Sequence, residues 1–244
     1  MNILSQIRRE FGAFFFSPIA YSVIAASAIL NGVMFVLLLE FLSGPQPVPG
    51  APMQMMFSWI LYWLVALILS PLVTMRAFAE EKHSGTLETL LTAPISDTKV
   101  VLAKFIACVS FYIILWLPTF LFPVILSRYS PLDFGPVLAG YLGTFAVGTM
   151  FVAVGILCSA LTRNQIVAAL LSFGAVMILF LTGLFGFATG ISHEGFFNYI
   201  NLLSHMDDFS KGIVDTRYLV YYASISAFSL FAAVQVIQSR RWQR

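Results

Sequence analysis

Residues 75–100 read MRAFAEEKHSGTLETLLTAPISDTKV, and their charge separates them from the long apolar runs on either side. Arg76, Glu80, Glu81, Lys82, His83, Glu88, Asp97 and Lys99 all fall here. Leu87, Leu90 and Leu91 recur at helical spacing, which predicts a short amphipathic helix. Ser84, Gly85 and Thr86 form the break before it, because Ser or Thr can cap orphan amides and Gly tolerates the turn. Glu88 then stands near the positive helix start. Pro94 drives Ala93 out of the helical region, and Ser96 or Asp97 can cap the apolar run that follows. A charged segment punctuated at both ends and held between two spans is a handle that another protein can grip.

The rest of the chain is apolar enough to fix its class. Of 244 residues, 59% are hydrophobic and 10% charged, with mean hydropathy +0.91, whereas a soluble domain carries about 25% charged residues. The expected fold is an all-α polytopic membrane protein forming one transmembrane domain over residues 1–244. A formal charge of +2 gives no basis for nucleic-acid binding. Cys108 and Cys158 fall in separate apolar runs and read as packed thiols, not as a disulfide or metal pair. Arg8 and Arg9 ahead of an apolar run imitate a signal peptide, but the run continues from Phe11 nearly to Phe41. A cleavable core is only about 7 to 15 residues, so the segment is expected to be retained.

Outward from the handle, the apolar runs place six spans at about 18–41, 57–74, 100–126, 134–160, 166–190 and 218–237, with the handle at 75–99. Ile3, Leu4, Ile7, Phe11, Phe14 and Phe15 repeat at threes and fours within residues 1–16, while Gln6, Arg8, Arg9 and Glu10 lie mostly on other faces. That pattern predicts an interfacial helix, ended by Ser17-Pro18. Residues 43–54 hold Pro45, Pro47, Pro49 and Pro52 and are expected to form a stiff outer connection without helix. Trp59, Tyr62 and Trp63 fit an outer interface belt, and Glu40 an exposed span end. Pro118 and Pro123 predict a bent or broken end to the third span. Gly140, Thr144 and Gly148 make a small-residue stripe for close helix packing on the fourth.

Residues 191–217 are too apolar for a soluble loop and read as an outer re-entrant segment. Within it, His205, Asp207 and Asp208 are a weak metal set, better read as capping and solvent-exposed groups. With the amino terminus inside, Arg128, Lys211 and Arg217 alone of the 13 lysines and arginines fall outside. Lys104 counts among the inner charges. This bias predicts both termini and the handle in the cytoplasm.

The same residues exclude several activities. An ion-coupled transporter needs titratable groups at the middle of its spans, and the spans carry essentially none. The three histidines, His83, His193 and His205, fall outside the spans, so no nucleophile there has an imidazole base. No GxxxxGK followed by Ser or Thr is present, which assigns any ATP to another chain. The chain is expected to be a passive membrane part moved by an external motor. A motor-independent channel or scaffold is the alternative, and a membrane enzyme a more distant third.

The run from Arg76 to Ser96, RAFAEEKHSGTLETLLTAPIS, resembles the signature of ABC type 2 transporter permeases, especially the gliding-motility and copper-site-maturation group. His205–Asp215, HMDDFSKGIVD, and the closing Ser239–Trp242, SRRW, extend the resemblance over nearly the whole chain. Position 83 departs from it, with His83 where relatives often have Arg. The resemblance implies six transmembrane helices with an amino-terminal interfacial helix, a cytoplasmic coupling helix between spans two and three, and outer re-entrant helices before span six. It implies a permease dimer bound to two ABC-type ATPase subunits, which would hold ATP and Mg, with no cofactor in this chain. Carried over by position, Glu80, Glu81, Lys82, Gly85, Thr86, Leu87 and Glu88 would contact the ATPase. Export, from a prokaryotic cytoplasmic membrane, is what most members of the family perform. Homodimer or heterodimer, any extracytoplasmic partner and the substrate stay open at this point.

Overall fold

The computed structural model describes residues 3–44, 52–86, 96–129, 132–188 and 199–242, and all regular structure among them is helical. An amphipathic helix α1 (Ile3–Phe15) is followed at once by α2 (Pro18–Leu42). The break falls where Ser17 is extended and Pro18 opens the new helix, a position at which its fixed φ suits the first turn. The chain continues through α3 (Pro52–Ser58), α4 (Ile60–Thr74) and α5 (Ala79–His83). Next come α6 (Asp97–Trp116), a 3-10 turn at Leu117–Phe120, and α7 (Leu121–Leu126). Two long helices, α8 (Phe134–Leu161) and α9 (Gln165–Ala188), precede α10 (Leu202–Ser210) and α11 (Thr216–Trp242).

Six helical stretches are long and apolar enough to cross a membrane: Pro18–Leu42, Ile60–His83, Asp97–Leu126, Phe134–Leu161, Gln165–Thr182 and Thr216–Ser239. The chain is an all-α, multi-pass integral membrane protein. Its third span loses regular α geometry at Pro118, where a missing amide donor and a ring clash turn the helix into a 3-10 segment. The fourth span, α8, is the centre of the bundle: 72% of its apolar window is buried, against 33% for α2 and 22% for α9. It packs against α4, α6, α9, α10 and α11.

Close packing around α8 is steric in origin. A Cβ on Gly140 would stand 2.3 Å from the Phe57 ring, and one on Gly148 would stand 2.1 Å from Tyr112. Between them, Thr144 Oγ1 lies 2.9 Å from the Tyr62 hydroxyl.

Three expectations from the sequence are corrected at the end of the bundle that holds α3 and α10. Residues 52–54 are helical, because Pro52 starts α3 and the helix buries Met53, Met56 and Phe57. Tyr62 and Trp63 are buried in the core instead of lying in an interface belt, and Trp63 donates its indole N–H to the Phe57 carbonyl at 2.7 Å. His205 is fully buried on α10 and not exposed. Its ring stacks on Tyr218 with centroids 3.8 Å apart, and Nδ1 lies 3.0 Å from the Tyr222 hydroxyl. A side chain with an apolar body and a polar edge can be buried this way once the edge is partnered. Asn201 caps α10, accepting from the amides of Leu203 and Ser204.

Candidate functional site

The charged handle leaves α4 at Thr74 and immediately meets the C-terminal end of α8. Ser159 on α8 is fully buried, and its hydroxyl oxygen accepts from the amides of Phe78 and Ala79 at 3.0 and 3.1 Å. The same hydroxyl donates to the Met75 carbonyl at 3.2 Å. The first amides of a helix have no partner within it, and no side chain of the handle itself caps α5, so Ser159 supplies the cap from another helix. At the other end of α5, the Lys82 ammonium donates to the Ala160 carbonyl in the last turn of α8, where the helix dipole favours a cation. Both ends of a five-residue helix are thus fixed to one end of one span.

A second attachment runs to α6. Lys104 sits two turns into that span and is only 4% exposed, yet carries two carboxylate partners from different elements. Its Nζ lies 2.7 Å from Glu81 Oε1 on α5 and 2.8 Å from Glu10 Oε2 on α1. Arg9 adds a contact to Glu10 at 2.7 Å. Phe78 places its ring beneath the ammonium, 5.3 Å away. Burial works to raise the Glu10 carboxyl, but the Lys104 ammonium and Arg9 guanidinium outweigh it and hold the group below its ordinary range.

This cluster corrects the reading of α1. Gln6 and Glu10, one turn apart, face the protein and not solvent: Gln6 is 2% exposed, whereas Leu4 is 73% exposed. The helix docks on α6 through a mixed edge on which Phe14 stacks on Phe111 with centroids 4.6 Å apart. Arg76 ties the α1–α2 junction to the handle by donating to Ser17 Oγ at 3.0 Å.

The residues of the handle therefore divide by direction. Glu81 and Lys82 are turned into the protein, on Lys104 and the end of α8. Glu80, Gly85 and Thr86 are exposed. Gly85 has φ +73°, a conformation that side chains disfavour, and it ends the helical path just after His83. Leu87 and Glu88, with the amphipathic stretch through Leu91, lie outside the described residues. Ser159 and Lys104 were not singled out by sequence reasoning, although they organise the junction.

The sequence model of the ABC-2 family transporter proteins matches residues 49–237, from just before α3 into α11. The chain belongs to this family. No curated protein matches it. As an ABC-2 chain it is a membrane permease subunit of an ABC transporter, a transport part and not itself a catalyst. The family works in general with ABC ATPase partners. In this ABC-2 protein, one junction joins α1, the handle, α6 and α8 through buried ionic and hydrogen bonds.

Proposed function

We propose that this permease is driven by a separate ATPase through residues 76–96, and that the handle is the rigid link in that drive. The observation that carries the reading is the double attachment of α5, to the end of α8 through Ser159 and Lys82 and to α6 through Glu81 and Lys104. A helix held to two spans by buried polar bonds passes on a push as a rigid unit, since packed elements shift between discrete arrangements instead of deforming smoothly. Exposed Glu80, Gly85 and Thr86, followed by Leu87 and Glu88, form the docking face. Glu81 and Lys82 carry the motion inward.

The complete transporter on this reading holds two permease chains and two ATPase subunits, and ATP with Mg occupies the ATPases alone. Both termini and the handle face the cytoplasm, since few lysines and arginines fall on the other side. The membrane is a prokaryotic cytoplasmic membrane, and the direction is export, as in most of the family.

The test is to purify the chain gently from its native membrane and assay ATPase activity in whatever remains bound. A P-loop ATPase is expected to co-purify. Glu80→Lys is expected to release it, whereas Glu81→Gln is expected to keep it bound with hydrolysis no longer tied to transport. Repeated recovery of intact permease without any ATPase would replace this reading with a motor-independent channel or scaffold.

A further inference from the structure

The break at Ser17-Pro18 joins two helices that are held in different ways. On one side, α1 is fixed to α6 by the buried pair of Glu10 and Lys104 and by the stack of Phe14 on Phe111. On the other, α2 is held from its middle onward, where the Ser27 hydroxyl donates to the Leu115 carbonyl at 3.4 Å and Phe35 stacks on Phe122 with centroids 4.2 Å apart. The first turns of α2, through Ile19, Ala20 and Val23, instead border a cavity of about 250 Å³ shared with α1, the end of α4 and α6. Four alanines account for the space. Ala13 on α1, Ala20 on α2, Ala77 in the handle and Ala107 on α6 each bring only a methyl group to the wall, where larger side chains would close it.

The junction itself has the properties of a hinge. Ser17 is extended and Pro18 has no amide to donate, so the hydrogen-bond ladder of α1 does not run on into α2. A few residues at an element end are where large φ/ψ changes are absorbed. The handle reaches this point directly, because Arg76 donates to Ser17 Oγ at 3.0 Å. On the opposite side of α2, Ile29, Val33 and Val36 are exposed, so movement toward the cavity breaks no helix contact at those positions.

We propose that α2 tilts at Ser17-Pro18 into the alanine-lined cavity when the handle moves, with Arg76 as the positioning residue that draws it. The inference rests on the reading of the handle as the link to an ATPase, and it names the span that the link moves. A packed helix shifts between discrete arrangements only where volume beside it allows a second one, and the start of α2 has that volume. The middle of α2 stays on α6 and serves as the fulcrum, through Ser27 and Leu115.

Spin labels test this in the complex of the permease with its co-purified ATPase, held in lipid nanodiscs. One label goes on Ser22→Cys, exposed on α2, and the other on Ile166→Cys, exposed at the start of α9, with Cys108 and Cys158 replaced by serine. Because α4 packs against both α2 and α9, a tilt toward α4 brings the labels together. A non-hydrolysable ATP analogue with Mg is expected to shorten their distance by about 2 Å, the scale of helix shifts in packed proteins. Arg76→Leu is expected to abolish the change, and Arg76→Lys, which keeps a donor, to restore most of it. Ala13→Trp and Ala107→Leu, which fill the cavity from α1 and from α6 without altering any charge, are expected to hold the distance fixed without lowering the unfolding temperature. A bound, ATP-hydrolysing ATPase with an unchanging distance would overturn the tilt and leave the handle as the ATPase link. A change that survives Arg76→Leu, or survives both filling substitutions, would overturn it equally. Recovery of the permease without any ATPase would instead overturn the reading of the handle, and this inference with it.

Discussion

The Lys104 ammonium lies 2.7 Å from Glu81 Oε1, so a charge buried inside one span is neutralised by one on the short helix that ends another. Glu10 completes the neutralisation from a third direction at 2.8 Å. Such a cluster depends on every member, because removing one leaves the others desolvated and unpaired. Lys104→Met therefore leaves two carboxylates facing one another. Its expected cost is about 3–5 kcal/mol, read as a lower unfolding midpoint in detergent. The triple change Lys104→Met, Glu10→Gln and Glu81→Gln is expected to recover most of that loss, since a buried ionic set replaced as a whole by neutral groups is close to balanced. A triple variant as unstable as the single one would mean that Lys104 acts through packing and not through charge.

Ser159 makes a more local prediction. Ser159→Ala removes the acceptor for the Phe78 and Ala79 amides together with the donor to the Met75 carbonyl. Leaving those buried groups unmatched is expected to cost about 1–3 kcal/mol. Hydrogen exchange gives the site-specific readout: the amides of Phe78 and Ala79 should exchange faster in the variant, while those in the middle of α8 keep their protection. Unchanged protection at both amides would remove Ser159 as the cap of α5.

What the sequence revealed and what it concealed follow from range. The spans were legible because an apolar run of membrane length has few other uses, and the Ser17-Pro18 and Pro118 breaks were legible because proline acts on its own neighbours. Gly85 was legible for the same local reason. Lys104 was not, because a lysine near the inner end of a span looks like an ordinary topology marker. Its carboxylates come from 94 and 23 residues away. A faint signal did exist: Gln6 and Glu10 stand one turn apart on an amphipathic helix, beside the apolar face of Ile3, Ile7, Phe11 and Phe14, which marks a polar edge able to take a partner. Ser159 gave no signal, being one small residue among many at the end of α8. His205 misled because a histidine beside two aspartates looks exposed, while the tyrosines that bury it come from the following helix.

Two glycines in long helices should respond oppositely to the same change. Gly148 has no room for a Cβ, which would stand 2.1 Å from the rigid Tyr112 ring, whereas a Cβ on Gly32 of α2 meets nothing within 4 Å. Gly148→Ala is expected to push α6 away from α8 and to destabilise the fold by about 1–3 kcal/mol. Gly32→Ala is expected to be neutral or to stabilise by up to about 1 kcal/mol through helix propensity. Thermal unfolding of the two variants side by side measures the difference, and equal midpoints would contradict the packing at Tyr112.

The docking of α1 should depend on acid in a defined direction. The Glu10 carboxyl is held below its ordinary value of 4.5, chiefly by Lys104 against the opposing effect of burial. A carboxyl depressed on folding contributes stability that is fully present above its unfolded value and is lost as pH falls through its folded one. The tie between α1 and α6 is therefore expected to be unchanged from neutral pH down to about 4.5 and to weaken below that. Amide exchange across residues 3–15 measures the tie directly, and protection there should fall in the acid range. Glu10→Gln cannot lose a charge it lacks, so in that variant the dependence should flatten, with protection already lower at neutral pH. An identical acid response in wild type and variant would assign the effect to another carboxylate, and Glu10 would then not be what holds α1 in place.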